Sequence, residues 1–143
     1  MPQVDFFVLA GDDPSARRLY TCRLAEKAWK AGHKVFIRAS DTTEAALLDE
    51  LLWTFRQGSF VPHALAGNQD DDLLVPVLIG ISQAPEGFHD FLINLAADIP
   101  PDQRHFQRIV EIVDANPGVR QAGRDKYRAY QSQDIKPATH KIH

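Results

Sequence analysis

The chain has 143 residues, of which 44% are hydrophobic, and a formal net charge of -3. This length suits one domain and this composition supplies a full apolar core, so the disordered and low-complexity classes are excluded. A single cysteine, Cys22, excludes an internal disulfide framework and a multi-cysteine zinc site, and the longest apolar runs are too short to cross a membrane.

Strands and helices alternate along the first part of the chain. Residues 4–9 are an apolar, β-rich run that ends at the turn 11–14, and residues 15–30 carry apolar side chains at helical spacing. Residues 34–38 read as a second buried strand and residues 43–55 as a second helix. Because this alternation implies parallel strands joined by right-handed crossovers, we predict a Rossmann-like α/β fold with a mostly parallel sheet and helices on both faces.

The rest of the chain continues the pattern without a linker or an internal repeat, which indicates one domain over residues 1–143. Short β-like runs return at 76–79 and 91–95. Apolar residues three and four apart predict a helix over 103–114, and a closing helix follows over 119–131. We expect about 133–143 to be a flexible tail. With no basic leader at the N-terminus, we also expect a cytoplasmic protein.

The turn after the first strand, residues 10–15, is a poor phosphate site. It contains one glycine and two carboxylates, Asp12 and Asp13, whereas phosphate-binding turns need several glycines so that backbone N–H groups can approach. The carboxylates would also repel a phosphate at close range. Neither the Gly-x-Gly-x-x-Gly pattern nor a P-loop occurs in the chain. We therefore expect no nucleotide site and no cofactor.

Patterns for nucleophilic catalysis and metal binding are equally weak. Cys22 lies in the apolar stripe of the first helix, where a small buried thiol is expected, and Ser59 and Ser82 lack the nucleophile elbow. The six histidines are scattered, and the pair near the C-terminus fits a disordered tail. The three aspartates at 70–72 suit a solvated loop tip or a divalent cation, but the rest of a calcium loop is missing. We predict no catalytic residues and no metal site.

Two segments carry features of protein interaction. In the first, Trp53, Phe55 and Phe60 lie at the end of a helix and in the following turn. Aromatic residues presented by a turn are typical interface anchors, because they bury a large area at a low cost in conformational entropy. The alternative is that they cover the edge of the core, which applies most to Phe55.

The second segment is basic. Residues 118–143 carry a net charge of +4, so the preceding residues carry -7. On a helix, Arg120, Arg124, Tyr127 and Arg128 fall on one face. Arginine forks beside an aromatic ring suit a peptide that ends in a carboxylate and a bulky apolar side chain, and they also suit a phosphate. The alternative is a solvated basic helix with the tyrosines tucked beneath it.

These segments carry a family resemblance. Residues 48–53 (LDELLW), 59–63 (SFVPH) and 124–130 (RDKYRAY), in this order after the βαβ opening, resemble the chi subunit of bacterial DNA polymerase III. The similarity covers nearly the whole chain.

The resemblance implies a non-catalytic accessory of the clamp loader on a Rossmann-like fold without a nucleotide site. Such a subunit bridges the psi subunit and the acidic C-terminal tail of single-stranded DNA-binding protein, at the replisome on the nucleoid, and reaches DNA only indirectly. The tail-binding positions implied are Arg124 and Tyr127, with further basic positions at Arg120 and Arg128. The positions implied for psi, or for a competing helicase-like repair protein, are Trp53, Phe60 and Pro62.

Two functions of other classes remain open. One is a small α/β enzyme that binds a nucleotide or sugar phosphate through Arg124 and Arg128. The other is a direct single-stranded DNA binder that uses Tyr127 and Tyr130 as stacking platforms.

Overall fold

The computed structural model describes residues 2–67 and 74–142, so the three aspartates at 70–72 lie outside the described residues. Seven strands form one sheet: β1 (Gln3–Leu9), β2 (Val35–Arg38), β3 (His63–Leu65), β4 (Val77–Gly80), β5 (Phe91–Asn94), β6 (Arg108–Val113) and β7 (Ala138–Ile142). The helices are α1 (Pro14–Lys30), α2 (Thr42–Thr54) and α3 (Pro117–Gln131). The strand order is β3-β4-β2-β5-β6-β1-β7, and every neighbouring pair is parallel.

The helices lie on both faces of the sheet, which confirms the predicted α/β fold. Helices α1 and α2 pack on one face, where Cys22 and Leu48 join a core with Ile37. Helix α3 packs on the opposite face, where Tyr130 joins a second core with Phe36. Since Phe36 and Ile37 are successive residues of β2, their side chains point to opposite faces, as in any strand that is buried on both sides.

The predicted helix over 103–114 is wrong. A single 3-10 turn, Gln103–His105, leads into β6, which lies between β5 and β1. The β-branched residues of β6, such as Ile109 and Val110, are buried on both faces of the sheet. A strand covered on both faces carries a near-continuous apolar run, and such a run also contains the three- and four-residue spacings of a helix.

The predicted flexible tail over about 133–143 is wrong for residues 138–142. These residues form β7, which pairs with β1 from Asp5–Ala138 to Leu9–Ile142. Nε2 of His140 lies 2.9 Å from the buried Asp5 carboxylate, which fixes the new edge strand to its neighbour.

A buried polar network ties α3 to the sheet. The Lys126 ammonium forms an ion pair of 2.6 Å with Glu111 of β6 and donates to the carbonyl of Ala96. The hydroxyl of Tyr130 and the amide of Asn94 also donate to the Glu111 carboxylate, at 2.7 and 2.9 Å. Burial, and then the neighbouring Glu111, raises the pKa of the Tyr130 hydroxyl far above its ordinary value, so this side chain remains a donor.

None of the helices within residues 2–67 and 74–142 has the length and apolar character that a membrane-spanning helix needs.

Candidate protein-interaction surfaces

Helix α3 begins at Pro117, two residues before the predicted start at residue 119. The Asn116 side chain caps it by accepting hydrogen bonds from the backbone of Gly118 and Val119, and Pro117 occupies the first turn. At Gly123 the helix approaches β6 closely, because a Cβ there would lie 3.0 Å from Cγ2 of Val113. The glycine therefore lets the helix sit low on the sheet.

This close approach leaves a groove, the α3 groove, of about 300 Å³ along one side of the helix. It is lined by Phe6, Val8, Val113, Arg120, Gly123, Arg124, Tyr127 and Thr139. Its floor is mostly apolar and comes from β1 and β6, and Thr139 of β7 closes the far side. The structure thus brings Arg120, Arg124 and Tyr127 together, as their spacing predicts.

The arginines and the tyrosine of the α3 groove differ in their exposure to solvent. Arg120 and Arg124 are exposed, whereas Tyr127 is half-buried, with its ring centroid 5.3 Å from that of Phe6. The Tyr127 hydroxyl donates to the carbonyl of Pro137 at 3.3 Å, which holds the ring against the segment before β7. Two exposed guanidinium groups beside an apolar floor suit a ligand that joins a carboxylate to an apolar group.

Two other residues of this helix do not join the groove. Arg128 lies outside the groove lining and stands 3.8 Å from Asp125, with both side chains exposed. Tyr130 is fully buried and bonded to Glu111, so it has no free face for a base. The hypothesis that Tyr127 and Tyr130 together form stacking platforms is therefore wrong for Tyr130.

A second surface, the Trp53–Phe60 patch, lies at the end of α2 and beside the edge strand β3. Trp53 and Phe60 are 52% and 60% exposed, and their ring centroids are 5.6 Å apart. The Trp53 ring also packs on the His63 ring, with their centroids 4.5 Å apart. The partly buried Pro62 directly precedes His63 in the chain. Phe55 instead packs against the core. Two large adjacent rings left this exposed are typical of an interaction surface.

The turn that carries Phe60 is held by a carboxylate from α1. Glu26 accepts a hydrogen bond from the Ser59 hydroxyl and one of 2.5 Å from the Arg56 guanidinium. The Ser59 hydrogen bond, with Arg56 and Lys30 nearby, lowers the pKa of Glu26 below its ordinary value. The carboxylate thus fixes the position of Phe60 through a charged contact.

The carboxyl edge of the sheet is where α/β proteins commonly bind ligands, and at the ends of β2, β5 and β6 it is filled by the chain's own side chains. The Arg17 guanidinium donates to the carbonyls of Ile112 and Leu95, at 2.8 and 3.3 Å. Its burial lowers the pKa of Arg17 from the ordinary value. The Arg38 guanidinium, at the end of β2, donates to the side chain of Asn94, at the end of β5, at 3.3 Å. The carboxyl ends of these three strands are therefore occupied by structural contacts.

Within the described part of the chain, the single cysteine is not placed as a nucleophile and potential metal ligands do not cluster. Cys22 is fully buried, as predicted, and burial raises the pKa of its thiol to about 12. In the part of the chain that the structure describes, no three His, Cys, Asp or Glu side chains converge on a possible metal position.

Sequence reasoning missed part of the α3 groove. Val113 was assigned to a helix and Thr139 to a flexible tail, so the floor and far wall were not predicted. The β-branched run 109–113 is a signal that favours a strand at Val113. For Thr139 the sequence offers no such signal, because residues 138–142 form a mostly exposed edge strand without alternating burial.

Comparison with known proteins gives a consistent match. The family model described as DNA polymerase III chi subunit, HolC, matches residues 1–138. The DNA polymerase III subunit chi of Pseudomonas aeruginosa is 41% identical over 142 residues, which cover 99% of this chain and 98% of that protein. The subunit of the same name from Escherichia coli K12 is 29% identical over 135 residues, or 92% of each chain.

Solved structures show the same fold in distant proteins. The crystal structure of T4 UvsW matches 98% of this chain and 41% of its own with a TM-score of 0.72 and 9% identity. The C-terminal domain of Saccharomyces cerevisiae Dbp5, bound to Gle1 and IP6, matches 96% of this chain and 90% of its own with a TM-score of 0.62 and 11% identity. At such low identity these likenesses concern the fold alone.

Proposed function

Because the chain belongs to the DNA polymerase III chi subunit family and thus to DNA replication, we propose that it is a non-catalytic adaptor of the polymerase III holoenzyme. In this proposal the α3 groove binds the acidic C-terminal tail of single-stranded DNA-binding protein. The Trp53–Phe60 patch binds the psi subunit of the clamp loader, or a helicase-like repair protein that competes for it. The proposed location is the bacterial cytoplasm, at the replisome on the nucleoid. These two surfaces reach DNA only through their protein partners, and no membrane is involved.

The observation that carries the tail proposal is the placement of two exposed cations beside an apolar floor. Arg120 and Arg124 are exposed and lie next to Phe6 and Val8 in one groove. A terminal carboxylate would accept from the guanidinium groups, and the last aromatic side chain of the tail would enter beside Tyr127.

A single tail should bind weakly. The groove is small and open, so we expect a micromolar Kd, which is about -8 kcal/mol. A tetrameric partner on DNA presents several tails and raises the effective concentration at the groove. Because opposite charges bring the partners together, binding should weaken as salt is added.

The test is fluorescence anisotropy with a labelled acidic peptide ending in Pro-Phe, with and without a free terminal carboxylate. Arg124→Ala should raise Kd by about tenfold or more, since a charge-assisted hydrogen bond contributes roughly 1.5–3 kcal/mol. Arg128→Ala is the matched control: it removes the same charge from the same helix outside the groove, and it should change Kd only slightly. Equal losses in both variants, or equal binding of the amidated peptide, would contradict the proposal.

The Trp53–Phe60 patch is tested separately. Trp53→Ala or Phe60→Ala should abolish psi binding and leave tail binding intact, because the patch and the groove share no residue. Leu47→Ala is the control, since Leu47 is also an exposed apolar residue of α2, at 42%, and lies outside the patch. Loss of both activities together would indicate unfolding rather than a lost contact.

A further inference from the structure

A second groove, the α1 groove, lies on the other face of the sheet and has no part in the proposed adaptor function. It measures about 390 Å³, within the range of ~300–1,000 Å³ common for ligand sites. The described residues that line it are Phe7, Tyr20, Arg23, Leu24, Lys27, Ala28, Ala31, His33, Phe91 and Arg108. Helix α1 packs on β2, β5 and β6, so this face of β1 is left at the margin of the helix.

The walls of the α1 groove are aromatic. The rings of Phe7 and Tyr20 meet edge to face with their centroids 6.0 Å apart, and both side chains are partly exposed. Deeper in the groove, Phe91 is 3% exposed and packs against the His33 ring at 5.8 Å. A flat ring entering the groove would therefore find aromatic edges and faces around it.

The rim is cationic. Arg23 and Lys27 are exposed and stand one helical turn apart on α1, and the Arg108 guanidinium lies 5.3 Å from the centre of the Phe91 ring. None of the lining residues that the structure describes is acidic. The Arg108 guanidinium donates to the buried Asp5 carboxylate of β1 at 3.1 Å.

We propose that the α1 groove binds single-stranded nucleic acid. One base would pack against Phe7 and Tyr20, and the flanking phosphates would lie against Arg23 and Lys27. Cations along a rim combined with aromatic walls are the two features by which proteins hold single strands without reading their sequence. The pair of cations one turn apart favours a ligand with repeated negative charges, and the rings favour one whose units carry flat bases.

The two grooves lie back to back on β1. Phe6 lines the α3 groove and Phe7 lines the α1 groove, and successive residues of a strand point to opposite faces. A peptide in one groove therefore leaves the other open, so the protein can hold a tail and a strand together.

The test is anisotropy at low salt with a labelled oligothymidylate of about twelve nucleotides, which is within the usual site sizes. Arg23→Glu should raise Kd by about tenfold or more, whereas Arg18→Glu should change it less than about threefold. Both variants change the net charge of α1 equally, but Arg18 does not line the groove. Lys27→Glu should repeat the Arg23 result, and an abasic oligonucleotide of the same length should bind about tenfold more weakly.

Amide shifts by NMR should lie in residues 20–33 and at Phe91, with tail-peptide binding retained in the Arg23 variant. Equal losses in the Arg18 and Arg23 variants, equal binding of the abasic strand, or no binding up to about 1 mM would overturn the inference. Shifts confined to α3, or displacement of the strand from the α1 groove by the acidic peptide, would also overturn it. The tail-peptide titration fails or succeeds independently, so the two proposals are separable.

Discussion

The replacement of Gly123 by alanine sets two known effects against each other. An alanine inside a helix is favoured over glycine by about 1 kcal/mol. Against this, the new Cβ would lie 3.0 and 3.4 Å from Cγ2 and Cγ1 of Val113. Valine is stiff about its first torsion, so the contact cannot be relieved by rotating a flexible chain end. Overpacking of this kind costs about 1–3 kcal/mol, and we therefore expect Gly123→Ala to lower the free energy of unfolding by about 1 kcal/mol.

Equilibrium urea unfolding, followed by circular dichroism, measures this change. Ala122→Gly, at the neighbouring position, gives the size of the helix-propensity effect in α3 itself. In a Val113→Ala background the obstructing methyl groups are gone, and Gly123→Ala should then raise the free energy of unfolding by about 1 kcal/mol. If Gly123→Ala instead stabilises the protein with Val113 present, or has the same effect in both backgrounds, the close approach is not what keeps glycine at this position.

Three further predictions concern buried and charged groups. Lys126→Met should lower the free energy of unfolding by about 3–5 kcal/mol, because it leaves the Glu111 carboxylate buried without its partner; a loss below about 1 kcal/mol in urea unfolding would contradict this. The hydrogen bonds that lower the pKa of Glu26 stabilise the fold above the unfolded pKa of about 4.3, and this stabilisation is lost as pH falls below that value. The difference in melting temperature between wild type and Glu26→Gln should therefore be smaller at about pH 3.5 than at about pH 6. Burial raises the pKa of the Cys22 thiol to about 12, so iodoacetamide at about pH 8 should not modify Cys22 until urea unfolds the protein. Rapid labelling of the folded protein would instead show that the thiol is accessible.

The opening of the fold is predictable because its boundaries carry local signals. Asp13 caps α1, with its carboxylate 2.9 Å from the amide of Ser15, and Pro14 begins the helix. Gly32 ends it with a φ of +99°, in the left-handed region that glycine tolerates. Each of these features depends on residues within one turn of each other, so the chain itself encodes them.

The second half is less predictable because its pattern depends on distant neighbours. Strand β6 is buried on both faces only because β5 and β1 flank it, and without that context its apolar residues resemble a helical stripe. Strand β7 has an exposed surface, so its pairing with β1 leaves little trace in its composition.

The candidate sites divide in the same way. The shared face of Arg120, Arg124 and Tyr127 follows from helical spacing alone. The floor beneath them requires β1, β6 and β7 to meet, which no local pattern reports. The α1 groove joins residues from α1, β1, β5 and β6 and has no motif at all.

The position of β1 in the sheet also matters during synthesis. Its two neighbours, β6 and β7, lie at the other end of the chain, and Val4 pairs with Ile109. At about 5–20 residues per second, the ribosome needs roughly 5–20 s to deliver β6 after β1 has emerged. Throughout that interval an apolar strand has two unpaired edges, which is a hazard for aggregation. The pairing of β1 is therefore a late event in the folding of the nascent chain, because it waits for the last strands to emerge.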